Sequence, residues 1–219
     1  VETVTGGSDD DEVVFGAAIT GATLDLGAGD DVLTLAAAGA TITVANAETV
    51  TGGAAADVVA ISGAFTGTID LAGGSDSLTL GTGTTATIAN VETVAGGSSA
   101  DVIVLTGSSG ATVTLGGGAD VFTGGTGSDT ITGGAGADQF VFTAAAQSAS
   151  GSGDVISDFV PGTDKLVFQG LLSGSFSWEG SASLTASGHS QARFDDGTEM
   201  LEVDVDGDGS ADMEIKLTG

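Results

Sequence analysis

Short bursts of alternating apolar and polar residues run through the first two thirds of the chain. They include Val13-Val14-Phe15, Leu24-Asp25-Leu26, Leu33-Thr34-Leu35, Ile42-Thr43-Val44, Val59-Ala60-Ile61, Ile69-Asp70-Leu71 and Leu78-Thr79-Leu80. A period of two marks a β-strand with one buried face. Glycine and alanine-glycine clusters between the bursts break any helix. Strands this short cannot close a core alone, so the pattern predicts an array in which each unit stacks on copies of itself.

A longer repeat of 44 to 46 residues overlies the short one. Val1-Glu2-Thr3-Val4-Thr5-Gly6-Gly7 returns as Ala47-Glu48-Thr49-Val50-Thr51-Gly52-Gly53 and as Val91-Glu92-Thr93-Val94-Ala95-Gly96-Gly97. The chain thus opens inside a repeat, which reads as a piece of a longer protein. Asp11, Asp31, Asp57, Asp76, Asp101 and Asp120 each follow a glycine-rich turn and precede a strand, at steps of 20, 26, 19, 25 and 19 residues. These steps are read as alternately short and long coils of a parallel β-helix, with the six aspartates stacked along one edge. From Asp120 the step falls to nine, through Asp129 to Asp138, giving two strands and 18 residues per coil, with Asp129 on the opposite edge. The competing arrangement makes every nine-residue segment a half-coil throughout, so that five segments per long repeat flip the edge each time. The wide-coil arrangement is preferred. It divides the chain into wide-coil repeats at 1–114, nonapeptide coils at 115–146 and a β-rich C-terminal part at 147–219.

Charge sharpens the picture. The 219 residues carry 30 acidic and three basic side chains, a formal net charge of -27, and residues 1–142 hold 17 acids with no Lys or Arg. Such a body repels itself unless something external neutralises it, and bound cations are the expected neutraliser. A nucleic-acid binder is excluded because phosphate recognition needs basic side chains. No run of about 18 apolar residues forms a membrane span. The absence of cysteine excludes disulfides and thiol chemistry.

Residues 115–141 carry the most specific motif. Gly124-Gly125-Thr126-Gly127-Ser128-Asp129-Thr130-Ile131-Thr132 and Gly133-Gly134-Ala135-Gly136-Ala137-Asp138-Gln139-Phe140-Val141 are consecutive copies of G-G-x-G-x-D-x-U-x. Leu115-Gly116-Gly117-Gly118-Ala119-Asp120-Val121-Phe122-Thr123 is a third copy lacking only the first glycine. This nonapeptide is known as the calcium-binding repeat of RTX proteins, and the chemistry fits. Calcium takes six to eight hard oxygens, glycines allow positive φ and inward carbonyls, and the aspartate supplies anionic oxygen.

The chain therefore resembles the RTX family of secreted calcium-binding proteins. The resemblance implies an all-β, right-handed parallel β-roll with calcium (several ions) held between turns. By position it assigns Asp120, Asp129 and Asp138 as ligands, with carbonyls from Gly116, Gly118, Gly125, Gly127, Gly134 and Gly136. Asp31 and Asp76 follow turns that keep the fourth-position Gly29 and Gly74 and are expected to be intermediate sites. Turns 6–11, 52–57 and 96–101 carry Asp9, Ala55 and Ser99 at that position, so weak or absent sites are expected at Asp57 and Asp101.

The stretch from Gly153 to Phe168 resembles the segment after the β-roll in serralysin-type proteins, where the cap and an uncleaved type I secretion region begin. It reads as strand, Pro161-Gly162 turn and strand. Asp158 is a candidate for the last calcium layer, and Asp154 an equal one. Asp204, Asp206, Asp208 and Asp212 fall at positions 1, 3, 5 and 9 of an EF-hand spacing, but Ile215 stands where the bidentate glutamate belongs. An Asp-Gly hairpin turn between Leu201–Val205 and Met213–Leu217 competes with the calcium loop and is slightly favoured. His189 is the only histidine, so a zinc or catalytic cluster is not expected, and Ser187 and Asp195 do not make it a triad. Trp178 with Phe159, Phe168, Phe176 and Phe194 is expected to form a small core in the cap.

The reading that follows is a nonenzymatic, calcium-folded structural module of an exported protein, secreted and extracellular or on the cell surface. An S-layer protein or adhesin is the first parent considered, because of the long Thr- and Ala-rich repeats. The second is an exported protease or lipase that uses this part for export and folding. Expected partners are calcium, a type I secretion apparatus and, at a surface, further copies or polysaccharide. Ice binding by Thr pairs such as Thr41/Thr43, Thr85/Thr87 and Thr112/Thr114 is a weaker idea, since strand propensity accounts for them.

Overall fold

The computed structural model describes residues 3–219, so Val1 and Glu2 of the first repeat copy lie outside the described residues. Successive strands alternate between two sheets. One sheet of nine strands runs through Glu12–Val14, Val32–Thr34, Thr49–Thr51, Phe65–Asp70, Thr84–Ala89, Val102–Thr106, Val121–Thr123, Gln139–Phe142 and Lys165–Phe168. The other begins with Thr3–Gly7, Ile19–Gly27, Ala40–Ala45, Val58–Ile61, Ser77–Thr79, Thr93–Ala95, Thr112–Gly117, Thr130–Ala135 and Asp154–Ile156, and continues into the C-terminal part to reach thirteen. Neighbours in both stacks are parallel up to that point, as expected of a β-solenoid.

Every coil holds two strands. Register partners lie 20 residues apart at Val4 and Leu24 and 18 apart at Val113 and Ile131. The wide-coil stacking of aspartates is therefore corrected to the half-coil arrangement. The long repeat spans five strands, or two and a half coils. In consequence the copies of one motif land on opposite sheets: Thr3-Val4-Thr5 and Thr93-Val94-Ala95 belong to the thirteen-stranded sheet, and Thr49-Val50-Thr51 to the nine-stranded one. The physical reason is that both faces offer the same environment, an apolar rung inside and a small polar residue outside. An odd number of half-coils then costs nothing.

The core is a set of stacked apolar ladders, to which most strands contribute one to three buried residues, such as Leu24 and Leu26 or Ile42 and Val44. Val50, Ile69 and Ile88 pair in register and are fully buried. Ile103, Phe122 and Phe140 continue the same sheet toward the C-terminus. At roughly 25 cal/mol per Å² of apolar surface removed from water, this continuous stripe is the main favourable term in an array of short strands.

The C-terminal part closes the solenoid. Met213–Leu217 adds in parallel to Asp154–Ile156 and antiparallel to Met200–Asp204. That strand pairs with Gln191–Asp195, and Ser177–Trp178 forms the edge. The expected aromatic core of the cap is not closed. Phe168 stacks on Phe142 at 5.6 Å, but Phe176 and Trp178 are 48% and 57% exposed. They lie at the sheet edge, where no further layer of the described residues covers them. Among the described residues no helix is long and apolar enough to cross a membrane.

Candidate functional site

Two ladders of acids run along the two edges of the solenoid, each acid standing just before a strand. On one edge Asp31 Oδ1 accepts the Asp11 amide at 2.7 Å and Glu48 Oε2 accepts the Asp31 amide at 2.7 Å. Further along that edge, Asp101 accepts from Thr84, Asp120 from Asp101, Asp138 from Asp120 and Asp164 from Asp138, at 2.6 to 3.0 Å. On the other edge Asp57 accepts from Ala40, Asp76 from Asp57, Glu92 from Asp76, Asp129 from Ala111 and Asp154 from Asp129, at 2.7 to 2.8 Å. One oxygen of each acid thus ties its coil to the coil before. This satisfies an amide that the turn would otherwise leave buried and unpaired.

The second oxygen separates the acids into two kinds. In Asp11, Asp57 and Asp101 it accepts the amide four residues earlier, from Gly7, Gly53 and Gly97 at 2.9, 3.0 and 3.3 Å. Asp164 does the same with Val160 at 2.8 Å. In Asp31, Asp76, Asp120, Asp129 and Asp138 the second oxygen is buried and has no hydrogen-bond partner among the described residues. The amides four residues earlier are turned elsewhere in two of these turns: Ala72 donates to Asp70 at 2.9 Å and Gly134 to Asp158 at 2.7 Å. Backbone conformation is the cause. Gly27, Ala72, Gly116 and Gly134 all have φ between 65° and 104°, which points the amide away from the carboxylate of its own turn. Asp129 stands between the two kinds. Gly125 is not in the left-handed region, so its amide still faces the Asp129 carboxylate and draws its proton affinity down, although it falls short of a full hydrogen bond to the second oxygen.

These five turns each carry glycine at the fourth position, packed on the turn one coil before. A Cβ on Gly136 would lie 1.4 Å from the Gly118 carbonyl oxygen, and one on Gly74 would lie 2.8 Å from the Ala56 amide. The five open turns therefore each have a partner turn beneath: 26–31 on 6–11, 71–76 on 52–57, 115–120 on 96–101, 133–138 on 115–120 and 124–129 on 107–110.

A buried carboxylate oxygen without a donor is costly unless a proton or a cation meets it. Burial pushes the carboxyls of Asp76, Asp120, Asp129 and Asp138 above the ordinary range, partly offset by the amide each accepts. Asp154 is pushed up to about 7, by burial first, with the neighbouring Asp129 charge adding to it. Hard anionic oxygens beside stacked carbonyls, with no nitrogen or sulfur donor, form the kind of set that suits calcium.

The other expected residues divide. Asp158 is half-buried, and its carboxylate holds the Gly133 and Gly134 amides at 2.8 and 2.7 Å. The ladder is instead continued by Asp154 and Asp164, which are buried. Asp204, Asp206 and Asp208 bring ligand atoms within 4.8 Å of one another, but both Asp204 oxygens are already taken, by Gly207, Gly209 and Gln191. Donors on every side hold the Asp204 carboxyl below the ordinary range in spite of its burial. Asp212 accepts the Val205 amide at 2.7 Å. The loop has the bonding of a hairpin turn between Met200–Asp204 and Met213–Leu217. Sequence reasoning missed Glu48, Glu92 and Asp164, although Glu48-Thr49-Val50 and Asp164-Lys165-Leu166 repeat the acid-x-apolar spacing of Asp138-Gln139-Phe140. Ser187 Oγ bonds to the His189 carbonyl oxygen at 3.0 Å, a local turn contact.

Among curated proteins none matches the chain. The parallel two-sheet roll, its nonapeptide turns and its strand-capped end agree with a family match over the whole length, residues 1–219, to the Peptidase M10 serralysin C-terminal family, and the chain belongs to that family.

Proposed function

We propose that this chain is the calcium-folded structural and export module of a secreted RTX-type protein. The observation that carries the reading is the set of five buried, partnerless oxygens on Asp31, Asp76, Asp120, Asp129 and Asp138. When bound, calcium supplies the positive charge and the coordination that these oxygens lack. Asp120, Asp129 and Asp138 would hold it with carbonyls of the glycine turns at Gly116, Gly118, Gly125, Gly127, Gly134 and Gly136. Asp31 and Asp76 would do so at the two open turns of the N-terminal part. The closed turns at Asp57 and Asp101 serve as the lower halves of the Asp76 and Asp120 pairs. Residues 1–114 act as a stiff spacer, 115–146 as the densest calcium region, and 147–219 as cap and type I secretion region.

Binding free energy becomes folding free energy when the site is absent from the unfolded chain. Circular dichroism and hydrodynamic radius are followed through a calcium titration with chelator reversal. The expected result is an expanded chain that becomes compact and β-rich, and an equally compact chelated protein refutes the reading. Export is tested by deleting residues 170–219: secretion by a type I apparatus should stop.

Two parents fit. The Thr- and Ala-rich repeats support a rod in an S-layer or adhesin, in contact with further copies or surface polysaccharide. The family description supports an appendage of an exported peptidase. An H-E-x-x-H or G-x-S-x-G motif encoded upstream of Val1 decides for the appendage, and calcium-dependent lateral arrays of the purified chain decide for the rod.

A further inference from the structure

The open side of the C-terminal part is a groove of about 640 Å³, within the size range of small-ligand sites. Five aromatic rings line it: Phe159, Phe168, Phe176, Trp178 and Phe194. The inner rings are braced by the solenoid, Phe168 on Phe142 at 5.6 Å and Phe159 on Phe140 at 6.2 Å. The outer ones, Phe176 and Trp178, stand half-exposed at the rim. The charged side chains in the lining are those of Asp196 and Glu199, both exposed at its rim.

The chain's three cations are all next door, yet none enters the groove. Lys165, Arg193 and Lys216 immediately precede the lining residues Leu166, Phe194 and Leu217. Strand alternation puts each on the opposite face. The Arg193 guanidinium is further held by both Glu202 oxygens, at 2.8 and 2.6 Å. The two carboxylates in the groove are thus left without an internal counter-charge. Glu199 also sits at φ 58° in the loop joining Asp195 to Met200. That conformation suits glycine and is strained for any other residue, so its side chain is present at a conformational expense.

We infer that this groove binds an apolar molecule bearing an alkylammonium group. The hydrocarbon lies on Phe159, Phe168 and Leu201, and the cation sits between Trp178 and the carboxylates of Asp196 and Glu199. Aromatic faces and carboxylates attract the same cation, the rings through their quadrupole. An anionic amphiphile is disfavoured by these carboxylates and by the net charge of -27.

Trp178 is the only tryptophan, so its emission reports this groove alone. The full chain in saturating calcium is titrated with octyltrimethylammonium, 1-octanol and octanoate, all below micelle formation. The expected result is a saturable change with the ammonium, about ten-fold weaker binding of the alcohol and none of octanoate. Glu199→Gln and Asp196→Asn should each weaken the ammonium several-fold and leave the alcohol unchanged, with an unaltered circular dichroism spectrum. Asp10→Asn, far along the solenoid, controls for general attraction to the acidic body and should change nothing. Equal binding of the three probes, an equal effect of Asp10→Asn, or a second copy of the chain shielding Trp178 in sedimentation experiments would overturn the assignment.

Discussion

Asp120 takes the Asp101 amide on one carboxylate oxygen at 2.7 Å, while its other oxygen is buried with no partner. Asp101 differs, because its second oxygen closes on the Gly97 amide of its own turn. Two acids stacked on one edge therefore have different work. One is a finished structural cap, and the other keeps an open oxygen, which the proposed function gives to a cation.

That difference predicts unequal substitutions. Asp129→Asn keeps an acceptor for the Ala111 amide but removes the negative charge from an open turn. Calcium-induced folding should then need at least several-fold more calcium. Asp57→Asn should shift the midpoint less: both Asp57 oxygens accept amides, so asparagine, with one acceptor, leaves one of the two amides facing its NH2 group, but no open oxygen is lost. Alanine is the wrong probe at position 57. It would strand the Ala40 and Gly53 amides at about 1–3 kcal/mol each and lower stability with or without calcium. Calcium titrations of both asparagine variants by circular dichroism check the ordering, and equal shifts contradict it.

Acid should partly replace calcium. In the folded chain without calcium the carboxyls of Asp76, Asp120, Asp129 and Asp138 are raised by burial, and burial pushes Asp154 up to about 7. A raised folded-state value means that the folded form binds protons more tightly than the unfolded form does. The associated stability is fully present below the unfolded value near 4 and is lost as pH rises through the folded values, up to about 7 for Asp154. In chelator-treated buffer the compact, β-rich form should therefore be more populated at pH 5 than at pH 7.5, read by circular dichroism and hydrodynamic radius. With calcium the dependence reverses, because protons compete for the same oxygens and apparent affinity falls with pH. A calcium-free chain that is more compact at pH 7.5 than at pH 5 would contradict the role given to these carboxyls.

Strand identity and the acid-before-strand rule were legible because both are local: alternation over three residues and a glycine cluster suffice. The edge on which each acid stands was not legible. It depends on counting half-coils, and the copies of Glu-Thr-Val are so alike that their placement on opposite sheets leaves no local trace. The tight turns were hidden for a similar reason. Asn46 and Asn90 both adopt φ 52°, and their amides hold Asp25 and Asp70 at 2.7 and 2.8 Å. The sequence shows only Ala-Asn-x-Glu, whereas the left-handed turn it makes lets Glu48 and Glu92 stand in for aspartate. In the cap, aromatic content alone could not distinguish a closed core from an open groove.

Those asparagines give a metal-independent prediction. Asn90→Ala loses both the tolerated left-handed backbone and the bond to Asp70, at a cost of about 1–2 kcal/mol. Asn90→Gly keeps the backbone freedom and loses only the side-chain bond, so it should be milder. Neither variant should change the number of calcium ions bound, measured by equilibrium dialysis, because the turn at 89–92 has no open carboxylate. A loss of bound calcium in Asn90→Gly would mean that this turn does hold metal.

Gly136 and Gly63 separate the two reasons for glycine in these turns. Both have positive φ, 151° and 95°. A Cβ at position 63 meets nothing within 4 Å, so Gly63→Ala carries only the conformational penalty of about 1 kcal/mol. At position 136 the same methyl would lie 1.4 Å from the Gly118 oxygen, a distance that no side-chain movement relieves because the obstacle is backbone. The 133–138 turn would have to lift off the 115–120 turn, separating the pair that flanks Asp138. Gly136→Ala should therefore lower the calcium-loaded melting temperature several times more than Gly63→Ala and should also remove one bound calcium. Stability and stoichiometry are measured on the same samples. If Gly136→Ala costs no more than Gly63→Ala and keeps the full complement of ions, the close stacking of paired turns is not what builds the site.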